Sequence, residues 1–316
     1  MHRIGYLLTD GFQVLSLATQ TVFEYANIVA GTPFYAIEHF SPEGGLVRSS
    51  QDLAIETQRL DAPRLADTWI IVGVNDPLAA ETSPIVLDFV RQASSQARRT
   101  VGICTGGFVL AEAGLLAGRR ATTHWAFAQA MQKRYADIAV EDDRIYIVDG
   151  PVWTSAGMTA GLDLALGMVE KDLGADLARS VAHSLVMHQH RSGGQSQHSE
   201  MLALAPKSDR IQSALNYARS HLNRSISVEE LADFVHLSPR QFTRVFTAET
   251  GQSPAKAIEG LRLEAARLMI EQSRHSLDVV AREVGFRDRR HLREAFMRGF
   301  GVPPQAVRRD ARRVTA

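Results

Sequence analysis

Residues 226–254 read ISVEELADFVHLSPRQFTRVFTAETGQSP, and residues 275–304 repeat the pattern as HSLDVVAREVGFRDRRHLREAFMRGFGVPP. The offset between matched residues is 49 before the turn and 50 after it, so the second copy has one extra turn residue. Each copy predicts two short helices joined by a turn, and two similar units suit a repetitive partner such as a DNA duplex. The matched pairs are Ala232 and Ala281, Val235 and Val284, Leu237 and Phe286, Phe242 and Leu292, Phe246 and Phe296, Gly251 and Gly301, and Pro254 and Pro304.

The second helix of each copy separates apolar from polar side chains. Phe242 and Phe246 lie four residues apart and therefore share the face that packs on the core, as do Leu292 and Phe296. The opposite face is rich in arginine, with one glutamine, and these side chains can make two hydrogen bonds to guanine or adenine in the major groove. We expect DNA contacts from Ser238, Arg240, Gln241, Thr243, Arg244, Arg287, Arg289, Arg290 and Arg293.

The second half of the chain reads as helical from about Lys207 onward. Ser227 followed by Glu230 predicts a capping box, and Gly285 predicts a turn with a positive φ angle. The predicted helices are Arg210–His221, Val228–Val235, Pro239–Thr250, Ala255–Gln272, Leu277–Val284 and Asp288–Gly299.

The formal net charge of the chain is zero, but its two halves differ in sign. Residues 1–206 hold 15 Lys and Arg against 22 Asp and Glu, whereas residues 207–316 hold 20 against 13. The second half, with a net charge of +7, suits contact with phosphates, and the first half, at −7, does not.

Composition and length exclude several classes of protein. An apolar content of 45% over 316 residues predicts about two packed domains. The single cysteine excludes an internal disulfide and fits a reducing cytoplasm. We expect a cytoplasmic protein without membrane contact, because no apolar run approaches the length of a membrane span and the N-terminus lacks a signal-peptide core. No phosphate-binding glycine motif with its following lysine supports nucleotide hydrolysis.

The first half alternates short apolar runs with helical patterns, which predicts a mainly parallel sheet covered on both faces. A hairpin is predicted between Ala139–Val140 and Ile145–Val148, and the polar, glycine-rich segment Ser192–Ser199 reads as a linker or a docked strap. The predicted strands are Arg3–Leu8, Thr68–Val74 and Thr100–Ile103, and the predicted helices are Thr19–Val29, Pro84–Gln96, Gly107–Leu116, Trp125–Tyr135, Met158–Leu173 and Ala175–His188.

Cys104 follows a predicted strand directly and precedes a helix, which is the geometry of a nucleophile elbow. The helix dipole at that position favours the thiolate form of the cysteine, and Gly106 and Gly107 permit a tight turn. His124 follows a second short strand, so it is a candidate base beside the thiol. Three roles remain open for Cys104: a buried packing residue, a wall of a ligand pocket, or a working nucleophile.

The segment GFRDRRHLREAFMRGFGVPPQAVR closely resembles the signature of the AraC/XylS family of bacterial transcription regulators. This resemblance covers about residues 209–312 and implies two helix-turn-helix subdomains, joined by the helix Ala255–Gln272, that read successive major-groove turns. In that family the second unit often contributes packing and phosphate contacts. The resemblance also implies promoter double-stranded DNA and RNA polymerase as partners, and activation rather than repression.

The segments GICTGGFVLAEAGLLAGRRATTHW and WTSAGMTAGLDLALGMVEKDLG resemble the ThiJ/PfpI superfamily, which is related to class I glutamine amidotransferases. This resemblance covers about residues 3–190 and implies an α/β flavodoxin-like sandwich. In the branch where this domain precedes an AraC-type reader, the first domain is a ligand sensor and dimeriser. We therefore expect a sensing and homodimerising domain over 1–191, a linker over 192–208 and the DNA-binding domain over 209–312.

The sequence departs from the enzymes of this superfamily near the cysteine. Thr105 stands where hydrolase-like members have histidine, and Ser16 and Thr21 align with positions where enzymes carry carboxylates. Without a carboxylate to share a proton, Cys104 lacks a general acid/base partner, so we expect no catalysis. A cysteine-dependent hydrolase or hydratase, or a redox sensor using Cys104, fused to a DNA-binding domain remains the alternative.

The resemblance places a ligand pocket at the ends of the strands, and relatives of this branch respond to arginine or quaternary amines. We therefore expect a small nitrogenous effector, with no cofactor. His183, His188, His190 and His198 do not share a helix face, so no metal site is predicted. The predicted pocket residues are Asp10, Gly11, Phe12, Gly73, Val74, Asn75, Cys104, Thr105, His124, Ser155 and Ala156.

Overall fold

The computed structural model describes residues 1–62, 66–187, 191, 193–194, 197 and 204–315. The chain forms two compact units, residues 1–197 and 198–316. None of the helices within the described ranges is both long enough and apolar enough to cross a membrane.

The first unit is built on an eight-stranded sheet. Its strands are β1 (His2–Leu7), β2 (Tyr35–Ser41), β3 (Gly45–Arg48), β4 (Ala54–Arg59), β5 (Thr68–Val72), β6 (Arg99–Ile103), β9 (Tyr146–Asp149) and β10 (Val152–Ser155), and a separate two-stranded sheet joins β7 (Arg120–Ala121) to β8 (Ala139–Val140). The strand order is β3-β4-β2-β1-β5-β6-β10-β9, with the edge strands β3 and β9 antiparallel and the six between them parallel. The predicted mainly parallel sheet is confirmed, and the three predicted strands correspond to β1, β5 and β6.

Helices cover both faces of this sheet, as predicted. They are α1 (Thr19–Ala30), α2 (Pro84–Gln96), α3 (Gly106–Glu112), α4 (Trp125–Arg134), α5 (Met158–Leu173) and α6 (Ala175–Ser184). On one face Trp69 of β5 packs edge-on against Phe89 of α2, with ring centroids 4.8 Å apart. On the other face the hydroxyl of Tyr6 in β1 hydrogen-bonds that of Thr19 in α1 at 2.7 Å. Helix α6 ends at Ser184, and its predicted end, His188, lies outside the described residues.

The predicted hairpin between Ala139–Val140 and Ile145–Val148 is wrong. Strand β8 pairs in parallel with β7, and β9 instead forms an antiparallel hairpin with β10, in which Asp149 faces Val152. The turn is Gly150–Pro151, and Gly150 has a φ of 60° that suits a two-residue hairpin loop. This glycine–proline pair was the signal for the true hairpin.

The second unit is helical and holds two hydrophobic cores. Its helices are α7 (Asp209–Ser220), α8 (Val228–Phe234), α9 (Pro239–Thr250), α10 (Pro254–Gln272), α11 (Leu277–Glu283), α12 (Arg289–Phe300) and α13 (Pro304–Thr315). Helix α10 belongs to both cores: Ala257 and Leu261 pack with Phe242, whereas Ala266 and Ile270 pack with Phe296. The predicted pair of helix-turn-helix units joined by one long helix is confirmed.

Serine caps explain why these helices begin where they do. Ser238 and Ser253 each precede a proline and accept a hydrogen bond from the backbone N–H three residues later. Gly251 and Gly301 then end α9 and α12 in left-handed conformation, with φ of 74° and 68°. These local signals made most helix boundaries readable from sequence.

Candidate DNA-binding surface and ligand pocket

The turns of the two helix-turn-helix units share one backbone conformation. His236 has a φ of 56° and Gly285, at the matched position, has a φ of 78°. The extra residue of the second copy is Arg287, because α9 is capped by Ser238 directly after Leu237, whereas α12 is capped by Asp288 two residues after Phe286.

Helix α9 presents a polar face while its apolar face is fully buried. Phe242 and Phe246 are buried, and Arg240, Thr243 and Arg244 are exposed. The exposed residues line an open groove together with Val228, Glu229, Pro239, Thr247 and Ala248. Three of the predicted contacts of the first helix-turn-helix unit, Arg240, Thr243 and Arg244, therefore lie on one accessible surface.

The capping interactions differ from those predicted. Ser227 accepts a hydrogen bond from the backbone N–H of Glu230 at 3.1 Å, but the Glu230 carboxylate binds Arg224 and Tyr217 instead of returning to the cap. These hydrogen bonds lower the pKa of Glu230 to about 2. The complete capping box lies at Ser238, whose backbone N–H and hydroxyl both donate to Gln241 Oε1. Gln241 therefore keeps only its amide N–H groups for DNA.

The second recognition helix, α12, carries a denser mixture of charges. Arg290, Arg293, Glu294, Met297 and Arg298 line its outer groove. Arg290 Nε donates to Glu294 Oε1 at 2.9 Å, and Arg287 contacts Asp288 at 3.2 Å. By contrast, Arg240, Arg244, Arg289 and Arg293 make no ion pair within the described part of the chain.

In the α/β unit, residues 1–197, the nucleophile elbow predicted at Cys104 is confirmed. Cys104 has a φ of 55°, and its backbone N–H donates to the carbonyl of Ser155 at 3.1 Å. The elbow lies so close to β5 that a Cβ atom on Gly106 would overlap the carbonyl oxygen of Ile71. A Cβ atom on Gly73 would likewise overlap the Thr105 hydroxyl, so the close approach requires both glycines.

The prediction that the elbow favours a thiolate is wrong. Cys104 is 1% exposed, and its burial raises the pKa of the thiol from 9.0 to about 11, although hydrogen bonds with Thr105 and Gln13 lower it. Desolvation disfavours the charged form of the thiol and is the largest cause of this shift. Neither Thr105 nor Gln13 is an acid or base.

Cys104 is therefore expected to react slowly with iodoacetamide at pH 7, well over tenfold more slowly than glutathione. Because the protonated form dominates below its pKa, the alkylation rate should rise about tenfold per pH unit between pH 7 and 10. Mass spectrometry of the full chain measures the rate. A plateau reached near pH 7 would show an activated thiolate and support the nucleophile or redox alternative.

His124 caps α4 rather than the elbow helix α3, because its Nδ1 accepts the backbone N–H of Ala126 at 3.3 Å. The preceding Thr123 donates its hydroxyl to the carbonyl of Cys104 at 3.0 Å. His124 thus lies on the segment that supports the cysteine backbone, near Gly157.

Two buried polar groups at the elbow, Gln13 Oε1 and Ser155 Oγ, lack a hydrogen-bond partner among the described residues. The Gln13 side chain hydrogen-bonds Cys104, and the Ser155 carbonyl accepts the Cys104 backbone N–H. Buried polar atoms of this kind mark a polar site rather than a packed core.

A cavity of about 470 Å³ opens at the carboxyl ends of β1, β2 and β5. Asp10, Gly73, Val74 and Thr105 of the predicted pocket line it. The other predicted residues, Gly11, Phe12, Asn75, Cys104, His124, Ser155 and Ala156, do not line it. Sequence reasoning missed Glu43, Glu81, Glu112, Arg134 and Tyr135 in its wall, since loops and helix ends distant in sequence bring them together.

The described residues of the segment after α6 are docked on the first unit. Arg191 binds the buried Asp163 with a backbone and two side-chain hydrogen bonds of 2.6–2.9 Å. Gln197 donates to the carbonyls of Thr123 and Asp142 at 2.9 and 2.8 Å and accepts the backbone N–H of Trp125 at 2.9 Å. At these described positions the segment after α6 is therefore a strap docked on the α/β unit.

Within the described ranges, no group of three or more histidine, cysteine or acidic side chains is placed to hold a metal ion. His188, His190 and His198 lie outside the described residues.

The chain matches the model of the DJ-1/PfpI family over residues 18–171 and that of a helix-turn-helix domain over residues 231–310. It is 30% identical to the HTH-type transcriptional regulator GlxA of Rhizobium meliloti, over 98% of this chain and 96% of that protein. The chain belongs to this family of HTH-type transcriptional regulators. The regulator combines an α/β flavodoxin-like domain with an AraC-type helix-turn-helix domain, which confirms the resemblances found in the sequence.

Two further matches cover only part of the chain. An isonitrile hydratase of Pseudomonas putida is 45% identical, over 57% of the regulator and 75% of that protein. The crystal structure of an AraC family transcriptional regulator from Pseudomonas putida has the same fold over 58% of the regulator and all of that chain, with a TM-score of 0.54 and 20% identity. The relatives that span the whole chain are regulators, so the enzyme alternative is not favoured.

Proposed function

We propose that the regulator is a cytoplasmic, DNA-bound activator of a bacterial promoter, controlled by a small nitrogenous metabolite in its first unit. Full-length similarity to HTH-type regulators and the two exposed recognition helices support promoter binding. Activation would require contact with RNA polymerase. The family resemblance implies a homodimer through the α/β unit.

The acidic cavity is the observation that carries the proposed effector class. Its volume of about 470 Å³ suits a small metabolite, and its position outside the carboxyl ends of parallel strands is where ligands of such sheets bind. Its wall includes Tyr135 and a single arginine, Arg134, whose guanidinium lies 5.6 Å from the centre of the Tyr135 ring. Four acidic side chains line it: Asp10, Glu43, Glu81 and Glu112. This excess of negative charge favours a cationic amine.

Glu112→Gln is expected to weaken effector binding at least tenfold, because Glu112 is the half-buried carboxylate of the cavity. A thermal-shift screen of the full chain with arginine, glycine betaine and carnitine would first identify a stabilising ligand. Titration calorimetry then compares Glu112→Gln with Glu24→Gln, an exposed acid on α1 that serves as the matched control. Loss of binding in Cys104→Ala but not in Glu112→Gln would move the site to the buried polar groups at the elbow.

A continuous set of contacts joins the cavity to the strap that leads into the DNA-binding unit. Thr105 lines the cavity and adjoins Cys104, whose carbonyl accepts the Thr123 hydroxyl. The Thr123 carbonyl accepts Gln197 Nε2 at 2.9 Å. We propose that effector binding acts on the strap through these residues, since coupling requires an element whose arrangement both sites bias.

Gln197→Ala is therefore expected to separate sensing from response. The variant should bind effector with unchanged affinity, while the effector-dependent change in DNA affinity falls at least fivefold. Fluorescence anisotropy with labelled promoter DNA, with and without effector, measures the response, and Gln92→Ala on the exposed face of α2 is the control. A normal response in Gln197→Ala would exclude the strap as the route.

A further inference from the structure

The second recognition helix, α12, carries an acidic side chain at a position where the first, α9, carries a basic one. The repeat aligns Glu294 of α12 with Arg244 of α9, and Arg290 with Arg240. Glu294 is half exposed and lies in the outer groove with Arg290, Arg293 and Arg298. A carboxylate facing DNA is repelled by the phosphates, so a helix that only contacts the backbone would gain from losing it.

The contact between Glu294 and Arg290 fixes one edge of the guanidinium group. Arg290 Nε donates to Glu294 Oε1 at 2.9 Å, while its two terminal nitrogens make no hydrogen bond within the described residues. Guanine presents two acceptors, O6 and N7, at a spacing that two arginine nitrogens match. An arginine already held in one orientation loses less conformational entropy when it makes these two bonds.

We infer that Glu294 is a positioning residue for sequence recognition, which holds Arg290 for bidentate contact with a guanine in the major groove. The second helix-turn-helix unit then recognises the base sequence of the DNA, rather than supplying only packing and phosphate contacts. The first helix-turn-helix unit has no corresponding pair, because Arg240 and Arg244 are both cations. In that unit the capping box holds the Gln241 side-chain carbonyl instead.

The test uses duplexes selected by the wild-type full chain from a random DNA library. Each base pair of the selected site is then changed in turn, and the affinities of wild type, Arg290→Ala, Glu294→Ala and Glu294→Gln are measured. Both changes at Glu294 should reduce discrimination for one G·C pair by about tenfold, at the same position that Arg290→Ala affects. Because Glu294 acts through Arg290, the double variant should lose little more base discrimination than Arg290→Ala alone.

Two further results separate this role from a general charge effect. Glu283→Gln removes an acid of similar exposure, paired with Arg282 at 3.4 Å on the preceding helix, and should leave base preference unchanged. A uniform rise in affinity of Glu294→Ala for all duplexes, with base preference intact, would show that Glu294 only repels phosphates and would overturn the inference. Loss of preference at different base pairs in Arg290→Ala and Glu294→Ala would overturn it as well.

Discussion

Replacement of Gly285 by alanine is expected to lower the thermal unfolding midpoint of the helical unit, residues 198–316, by roughly 10 °C. Gly285 has a φ of 78°, a conformation that costs an L-residue about 1–2 kcal/mol. A Cβ atom there would also overlap the carbonyl oxygen of Leu222 and approach Arg262 Nε to 2.9 Å. Relief of such overlap by backbone movement costs about 1–3 kcal/mol more. The same movement should weaken DNA binding, because Leu222 belongs to the core of the first helix-turn-helix unit.

Other positive-φ glycines of this unit provide matched controls. Gly251 and Gly301 have φ of 74° and 68°, but a Cβ atom at either would meet no described atom within 4 Å. Alanine at these positions should cost only the conformational part, about 1–2 kcal/mol. His236→Gly, at the matched turn of the first unit, should be neutral or stabilising because it removes strain. Far-ultraviolet circular dichroism of the full chain follows the melting. Equal midpoints for Gly285→Ala and Gly251→Ala would contradict the close packing at Gly285.

The features that sequence predicted well are those encoded by residues near one another in the chain. The repeat, the caps at Ser238 and Ser253, and the glycine at 285 each reflect a local backbone requirement. The strand–turn–helix pattern at Cys104 was readable for the same reason. Apolar spacing also assigned Phe242 and Phe296 to the cores correctly.

Features that depend on residues far apart in the chain could not be predicted from the sequence. The electrostatics of Cys104 were predicted from its helix terminus, but burial by the surrounding fold determines its pKa. Glu230 was assigned to a capping box by spacing, yet Arg224 and Tyr217 compete for its carboxylate. The acidic cavity lies beside the predicted pocket, because α3 and the end of α4 bring Glu112 and Tyr135 to the sheet edge.

Arg240→Ala is expected to relax base preference at one position of the DNA site by about 1–3 kcal/mol, which corresponds to roughly 5- to 150-fold. Arg240 lies in the first turn of α9, the part of a recognition helix that enters the major groove. It is exposed and makes no ion pair within the described part of the chain, so its guanidinium is available to a base. Arg240→Lys keeps the charge but not the bidentate fork, so it should lose preference while retaining the salt dependence of binding.

Selection of duplexes from a random library by the wild-type full chain tests the two-unit account most directly. Because the two recognition helices of one protomer would enter successive turns of the major groove, each half-site bound by one protomer of the proposed homodimer should contain two blocks with centres about 10 base pairs apart. Selection with Arg240→Ala should erase one position of one block in each half-site and leave the other block intact. Half-sites that contain a single block, or no enriched sequence at all, would contradict DNA reading by two helix-turn-helix units.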